Sequence, residues 1–178
     1  MLKILLVDDE ESICKGMRIK MSMALHDKAY EYRYALNGAA GIELCGEWLP
    51  DIAILDINLP DMSGVDVMPR VRQVSPDTLF FALSAYDNYN YVRNMLVNGA
   101  VDYLLKPVSA SDLREALLKT IAALEAKRRA VCHDAMAKLS VLALDAESMS
   151  AEAFAEAFSQ NPDFSDIYSL LAVFAPYA

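Results

Sequence analysis

Glycine does not occur in this chain after Gly99, and proline is missing between Pro107 and Pro162. A segment that long with neither residue has nothing in it to break a helix. Cysteines are few. Cys14, Cys45 and Cys132 fall at no metal-ligand spacing and cannot all pair, which points to reduced thiols rather than a disulfide scaffold. The only histidines, His26 and His133, fall in helix-like segments away from every other candidate residue. Positive charge is also scarce, with 16 Lys and Arg against 25 Asp and Glu, a net charge of −9 and a pI near 4.6. Phosphate contacts need clustered cations, so these residues are expected to bind no nucleic acid themselves, which leaves a DNA-binding partner domain possible. The apolar stretch after Lys3 ends at Asp8, too short for a secretory signal. No run approaches the roughly 18–20 apolar residues of a membrane span, so no membrane partner is expected and a cytoplasmic location is.

What remains is rich in apolar residues, 55% against 23% charged over 178 residues, a composition that folds. Short apolar runs recur at Leu2 to Val7, Tyr30 to Leu36, Ile52 to Leu55, Leu79 to Leu83 and Val101 to Leu105. Helix-length segments separate them. Ile13, Met17, Met21 and Ala24 form one stripe of helical period, and Val92, Met95 and Leu96 begin another. Five strands alternating with helices predict an α/β domain whose parallel sheet is covered on both faces. From Ser111, read as a helix cap before Asp112 and Glu115, the chain continues as helix. Leu117, Ile121, Leu124, Arg128, Val131 and Ala135 recur there at spacings of four and three, a heptad seam interrupted by Arg128. An amphipathic helix packed on the sheet explains the first half of that seam equally well. The expected division is a domain at 1–125 and a helical extension at 126–178.

The polar residues at the end of each apolar run matter most. "ILLVDDEE" drives four apolar residues straight into four carboxylates, and "IAIL" ends in Asp56. The fourth run ends at Ser84 and the fifth at Lys106, with Pro107 next. In a doubly wound parallel sheet the C-terminal strand ends gather along one edge, where such folds place their sites. Taken singly, Asp8 and Asp9 fit a helix start, Asp56 a turn, Ser84 a cap and Lys106 a solvated cation. All five together do not fit that reading. Clustered carboxylates repel unless a cation neutralises them, and an all-oxygen set completed by phosphate and water suits Mg²⁺. Lys106 then supplies a point charge for an anion, Ser84 a donor, and Asp56 a carboxylate nucleophile for phosphoryl transfer.

At these residues the chain resembles a known family. "LLVDDEE", "AILDINLPDMSG", "ALSAYDN" and "GAVDYLLKPV" are similar to the receiver domain of bacterial two-component response regulators. The resemblance implies a flavodoxin-like fold with strand order 2-1-3-4-5. It implies that Asp56 takes a phosphoryl group from a sensor histidine kinase, with Asp8, Asp9, Asp56 and the Asn58 backbone carbonyl around Mg²⁺. It further implies that Lys106 pairs with the phosphate and that the bond from Lys106 to Pro107 is cis. Ser84 would move toward the phosphoryl group and Tyr103 would swing inward, a switch set by local charge. Ser84 and Tyr86 stand where members of the family differ, at places that govern access to the phosphate. Tyr86, Tyr89 and Tyr91 make the start of the fourth helix aromatic, which suits a partner surface or ordinary half-buried packing.

Two other functions compete. A phosphatase of the haloacid dehalogenase type also uses a strand-end Asp, but carries a second Asp two residues later, where this chain has Asn58. A stand-alone receiver that acts by protein docking differs only in the residues C-terminal to the domain. There, "MSAEAFAEAFSQNP" reads as a short helix capped by Ser150, and "IYSLLAVFAPY" as a strand without neighbours. The expectation is a piece of a longer transcription regulator, since "AYDNYNYVRNMLVNGAVDYLLKPV" resembles receivers that continue into an AraC-type helix-turn-helix domain. The apolar seam after Ser111 also predicts a homodimer.

Overall fold

A computed structural model describes residues 1–85 and 89–146 of the chain. It divides into two units, Met1–Thr120 and Ile121–Ala178. The first is built from β1 (Leu2–Val7), α1 (Glu11–Ala24), β2 (Tyr30–Ala35), α2 (Gly38–Trp48), β3 (Ile52–Asp56), α3 (Gly64–Val74), β4 (Leu79–Ser84), α4 (Tyr89–Val97), β5 (Asp102–Leu105) and the first turns of α5 (Ala110–Ala146). All strand pairings are parallel and the order is β2-β1-β3-β4-β5. This is the doubly wound arrangement that the alternation of apolar runs and helical segments predicts.

The apolar runs become strands because both of their faces are buried. Ile4 to Val7 and Ile52 to Leu55 are wholly inaccessible, as are Phe80 to Leu83. The edge strands differ: β5 has only Leu104 buried, and three of the six β2 residues are tyrosines of intermediate exposure. Met17, Met21 and Ala24 of the α1 stripe are buried, joined by Cys14, and Met95 of α4 is buried as well. Each fully buried aliphatic or aromatic side chain of this kind is worth about 1.5–3 kcal/mol relative to exposure.

Helix ends correct two details. The first turn of α5 is capped by Ser109, whose hydroxyl accepts from the Asp112 amide at 3.1 Å, and not by Ser111, which instead pairs with Ser109 at 2.8 Å. The helix therefore starts earlier, at Ala110. His26 lies in the turn after α1 rather than inside a helix.

The second unit begins inside α5. Along the predicted seam, Ile121 is buried, Leu124 and Arg128 are intermediate and Val131 is exposed. The Ser150 helix and the 167–177 strand lie outside the described residues, as do Tyr86 and the side chains of Tyr89, Tyr91, Val92 and Ala135. Among the described residues no helix is long and apolar enough to cross a membrane.

Candidate phosphoryl-transfer site

Sheet register alone brings the central residues together. Val7 stands opposite Leu55, so Asp8, the next residue, comes level with Asp56. Ser84 stands opposite Leu105, and the Lys106 amide donates to the Ser84 carbonyl at 2.7 Å, which extends the ladder by one step. Asp8, Asp56, Ser84 and Lys106 thus share one end of four adjacent strands. The Lys106–Pro107 peptide bond is cis.

Asp8 is completely buried and Asp56 nearly so, whereas Asp9 is exposed. One carboxylate oxygen from each of the three lies within 4.8 Å of the others. Burying two carboxylates side by side is costly without an opposite charge. Lys106 supplies one: its Nζ lies 2.5 Å from Asp56 Oδ2 and 2.6 Å from Asp8 Oδ2. Burial by itself works against this ammonium, but the hydrogen bond to Asp56 and the negative charges of Asp56 and Asp8 outweigh it and raise its pKa. The bond to Asp56 has hydrogen-bond geometry, while the approach to Asp8 Oδ2 has ion-pair distance only. Among the described residues Asp8 Oδ2 is the one buried side-chain oxygen without a hydrogen bond.

Asp8 Oδ2, held only by the charge of Lys106, is an oxygen that a bound cation would use. Three oxygen-only ligands at this spacing fit a hard, divalent ion, and no nitrogen or sulfur donor is among them. Two of the carboxylate oxygens have local partners: Asp8 Oδ1 accepts from the Glu10 amide at 3.0 Å and Asp56 Oδ1 from the Asn58 amide at 3.1 Å. Ser84 is buried beside Asp56, within the same edge. Tyr103 is not brought into the site, since its side chain is 39% exposed on the edge strand. Asn58 is exposed and starts the loop after β3, so its backbone, not its side chain, is the part tied to Asp56.

Two residues at the site escape a reading of apolar runs and strand ends. Gly64 begins α3 so close to β3 that a Cβ there would stand well inside van der Waals contact of the Asp56 carbonyl. Asp61 accepts from the Gly38 and Ala39 amides at 2.8 and 2.9 Å, and so joins the loop after β3 to the start of α2. "LPDMSG" reads locally as a turn, and nothing in it marks a partner more than twenty residues earlier.

The response regulator receiver domain model matches residues 4–118. Transcriptional regulatory protein DegU of Brevibacillus brevis is 31% identical over 65% of this chain and 48% of its own length. Sporulation initiation phosphotransferase F of Bacillus subtilis is 26% identical over 66% of the chain and 91% of its own length. Among solved structures, the REC domain of AraT, a response regulator from Geobacillus stearothermophilus, superposes with a TM-score of 0.64 at 28% identity, covering 71% of this chain and 97% of that domain. The chain spans about half the length of transcriptional relatives such as DegU. Members of this family take their signal from histidine kinases and use Mg²⁺, and they act as regulators rather than as classical enzymes. With its parallel sheet and its acidic strand ends, the chain belongs to the response regulator receiver domains, phosphorylation-controlled modules of two-component systems.

Proposed function

We propose that Asp56 is the phosphoacceptor of this receiver and that a sensor histidine kinase is the donor. An Asp56 carboxylate oxygen attacks phosphorus, the P–N bond of the phosphohistidine breaks, and the imidazole keeps the electron pair and takes a proton. The observation that carries this reading is the Asp8, Asp9 and Asp56 cluster with Lys106 bridging two of its members. Asp8, Asp9, Asp56 and the Asn58 carbonyl would hold Mg²⁺. Bound there, the ion supplies positive charge to the phosphoryl oxygens. Lys106 adds its ammonium on the other side of the acceptor, and Ser84 is placed to donate a hydrogen bond to the new phosphoryl group. Tyr103, outward in this structure, is then free to pack inward and report the state to a partner. The domain carries out phosphoryl transfer to itself and its own dephosphorylation, and no other catalysis.

The output we assign is transcription, through an AraC-type helix-turn-helix domain outside these 178 residues, with residues 1–125 as receiver and 126–178 as linker and the start of that domain. Support comes from relatives that are transcriptional regulators about twice as long as the matched part. A cytoplasmic location and a homodimer formed through α5 belong to the same reading, and light scattering with and without beryllofluoride tests the dimer. A second reading, a receiver acting by docking alone, is favoured by the phosphotransferase relative that is matched along 91% of its length. A native stop codon directly after Ala178 would decide for it.

Acetyl phosphate or beryllofluoride with Mg²⁺ should modify the wild-type chain once, and Asp56→Asn should abolish that modification. Undiminished labelling of the Asp56→Asn protein would remove Asp56 from its role. Steady Mg²⁺-dependent turnover of p-nitrophenyl phosphate would revive the phosphatase instead.

A further inference from the structure

Resting on the phosphoacceptor reading, we propose that Asp61 is a positioning residue of the site, which ties the loop bearing Asn58 to the start of α2 and so holds the Asn58 carbonyl in place for Mg²⁺. The loop 58–63 is closed at its base, where Asn58 bridges Ser63 and the Gly64 amide donates to the Ile57 carbonyl at 2.9 Å. Gly64 lets that base lie directly on the Asp56 carbonyl. The tip of the loop has its own anchor. Both Asp61 carboxylate oxygens are used, one on the Gly38 amide and one on the Ala39 amide. Beside this anchor a Cβ on Gly38 would collide with the Met62 side chain, so glycine leaves the room in which the loop closes onto the helix.

A simple helix cap does not account for this arrangement. α2 already carries its own cap, Asn37, whose side chain accepts from the Ala40 amide at 2.8 Å. Asp61 covers two further amides from another loop, and the first turn of α2 contains no acidic residue of its own. The N-terminal end of a helix favours such a carboxylate. The two backbone hydrogen bonds from Gly38 and Ala39 hold the Asp61 carboxyl below its usual range. Because the six-residue loop is pinned at base and tip, freeing the tip leaves Asn58 held by the base alone.

The test is a Mg²⁺ titration of the unphosphorylated full chain, monitored by amide chemical shifts, with thermal unfolding in parallel. Asp61→Ala should weaken Mg²⁺ binding by roughly tenfold, the lower end of what losing a partner just outside a metal's ligands costs. Asp61→Asn keeps one acceptor oxygen and should recover part of that loss. Asn37→Ala removes the cap of the same helix without touching the loop, so it should lower the unfolding temperature and leave Mg²⁺ affinity unchanged. Wild-type affinity in Asp61→Ala, or an equal loss in Asn37→Ala, would overturn the assignment. A wild-type chain that binds no Mg²⁺ would overturn both it and the reading on which it rests.

Discussion

The two ends of the parallel sheet treat buried polar groups in opposite ways. At the end where the strands begin, buried and half-buried polar groups are paired with one another. The Thr78 hydroxyl donates to the Pro50 carbonyl at 2.7 Å and pairs with the Ser75 hydroxyl at 2.7 Å. The Lys3 amide donates to Asp51 at 2.7 Å, and the Lys3 ammonium caps the Trp48 carbonyl at 3.1 Å. At the end where the strands finish, carboxylates are crowded around one ammonium, and Asp8 Oδ2 is left without a hydrogen bond. Satisfied networks are what folding selects, whereas crowded like charges persist where chemistry uses them. The first end holds the fold together, and the second is held in place by the fold.

This contrast breaks most visibly at Lys106. Lys106→Ala should slow phosphorylation by acetyl phosphate on the order of a hundredfold, the effect of losing a preorganised charge beside the reacting group. It should still bind Mg²⁺, because Lys106 faces the carboxylates as a counter-charge and is not a ligand. Markedly weaker Mg²⁺ binding in that variant would contradict the role.

At the opposite end the effect should fall on stability alone. Thr78→Val leaves the buried Pro50 carbonyl and Ser75 hydroxyl short of a partner, and should cost about 1–3 kcal/mol in urea denaturation. Its phosphorylation rate should equal that of the wild type, and a clear drop would show that the two ends are coupled. Leu49 in the same region ends α2 in the left-handed conformation, at φ 51°, with its side chain largely exposed. Leu49→Gly removes a steric penalty while giving up little burial, and should stabilise the chain by about 1 kcal/mol.

The smallest expected effect involves Asp27, whose carboxyl is held below its ordinary value of 3.8 first by the hydrogen bond from Arg114, at 3.1 Å. A depressed folded pKa adds stability that is present above the unfolded value and is lost as pH falls through the folded one. Asp27→Asn should therefore flatten part of the stability loss below pH 3.8, visible as a shallower fall of the urea midpoint. An unchanged acid slope would remove Arg114 from that role.

Much of this contrast is legible in the residues themselves. Apolar runs that stop at Asp8, Asp56, Ser84 and Lys106 mark both the strands and the end to which the site belongs, because the stretches of β1, β3 and β4 buried on two faces carry no charge before that end. The strand order is a long-range property, and it comes from the family resemblance rather than from periodicity. Ser109 and Ser111 are chemically equivalent candidates for the α5 cap, and only backbone geometry decides for Ser109. Asp61 escapes a sequence reading for a different reason. Its partners are the amides of Gly38 and Ala39, which carry no side-chain signal at all. Apolar spacing after residue 121 is also ambiguous, since the same stripe suits a sheet-packed helix and a dimer seam.

The most direct test of the central claim, that carboxylates at the finishing end are held for a cation, is urea denaturation with and without Mg²⁺ at matched ionic strength. A ligand that binds only the folded state stabilises by RT ln(1 + [L]/Kd), about 2.7 kcal/mol at a hundred times Kd. The account predicts this rise in the wild type and undiminished in Thr78→Val. It predicts a much smaller rise in Asp9→Asn, where an exposed carboxylate of the cluster is removed without disturbing the core. An equal Mg²⁺-dependent rise in Asp9→Asn, or none in the wild type, would contradict it.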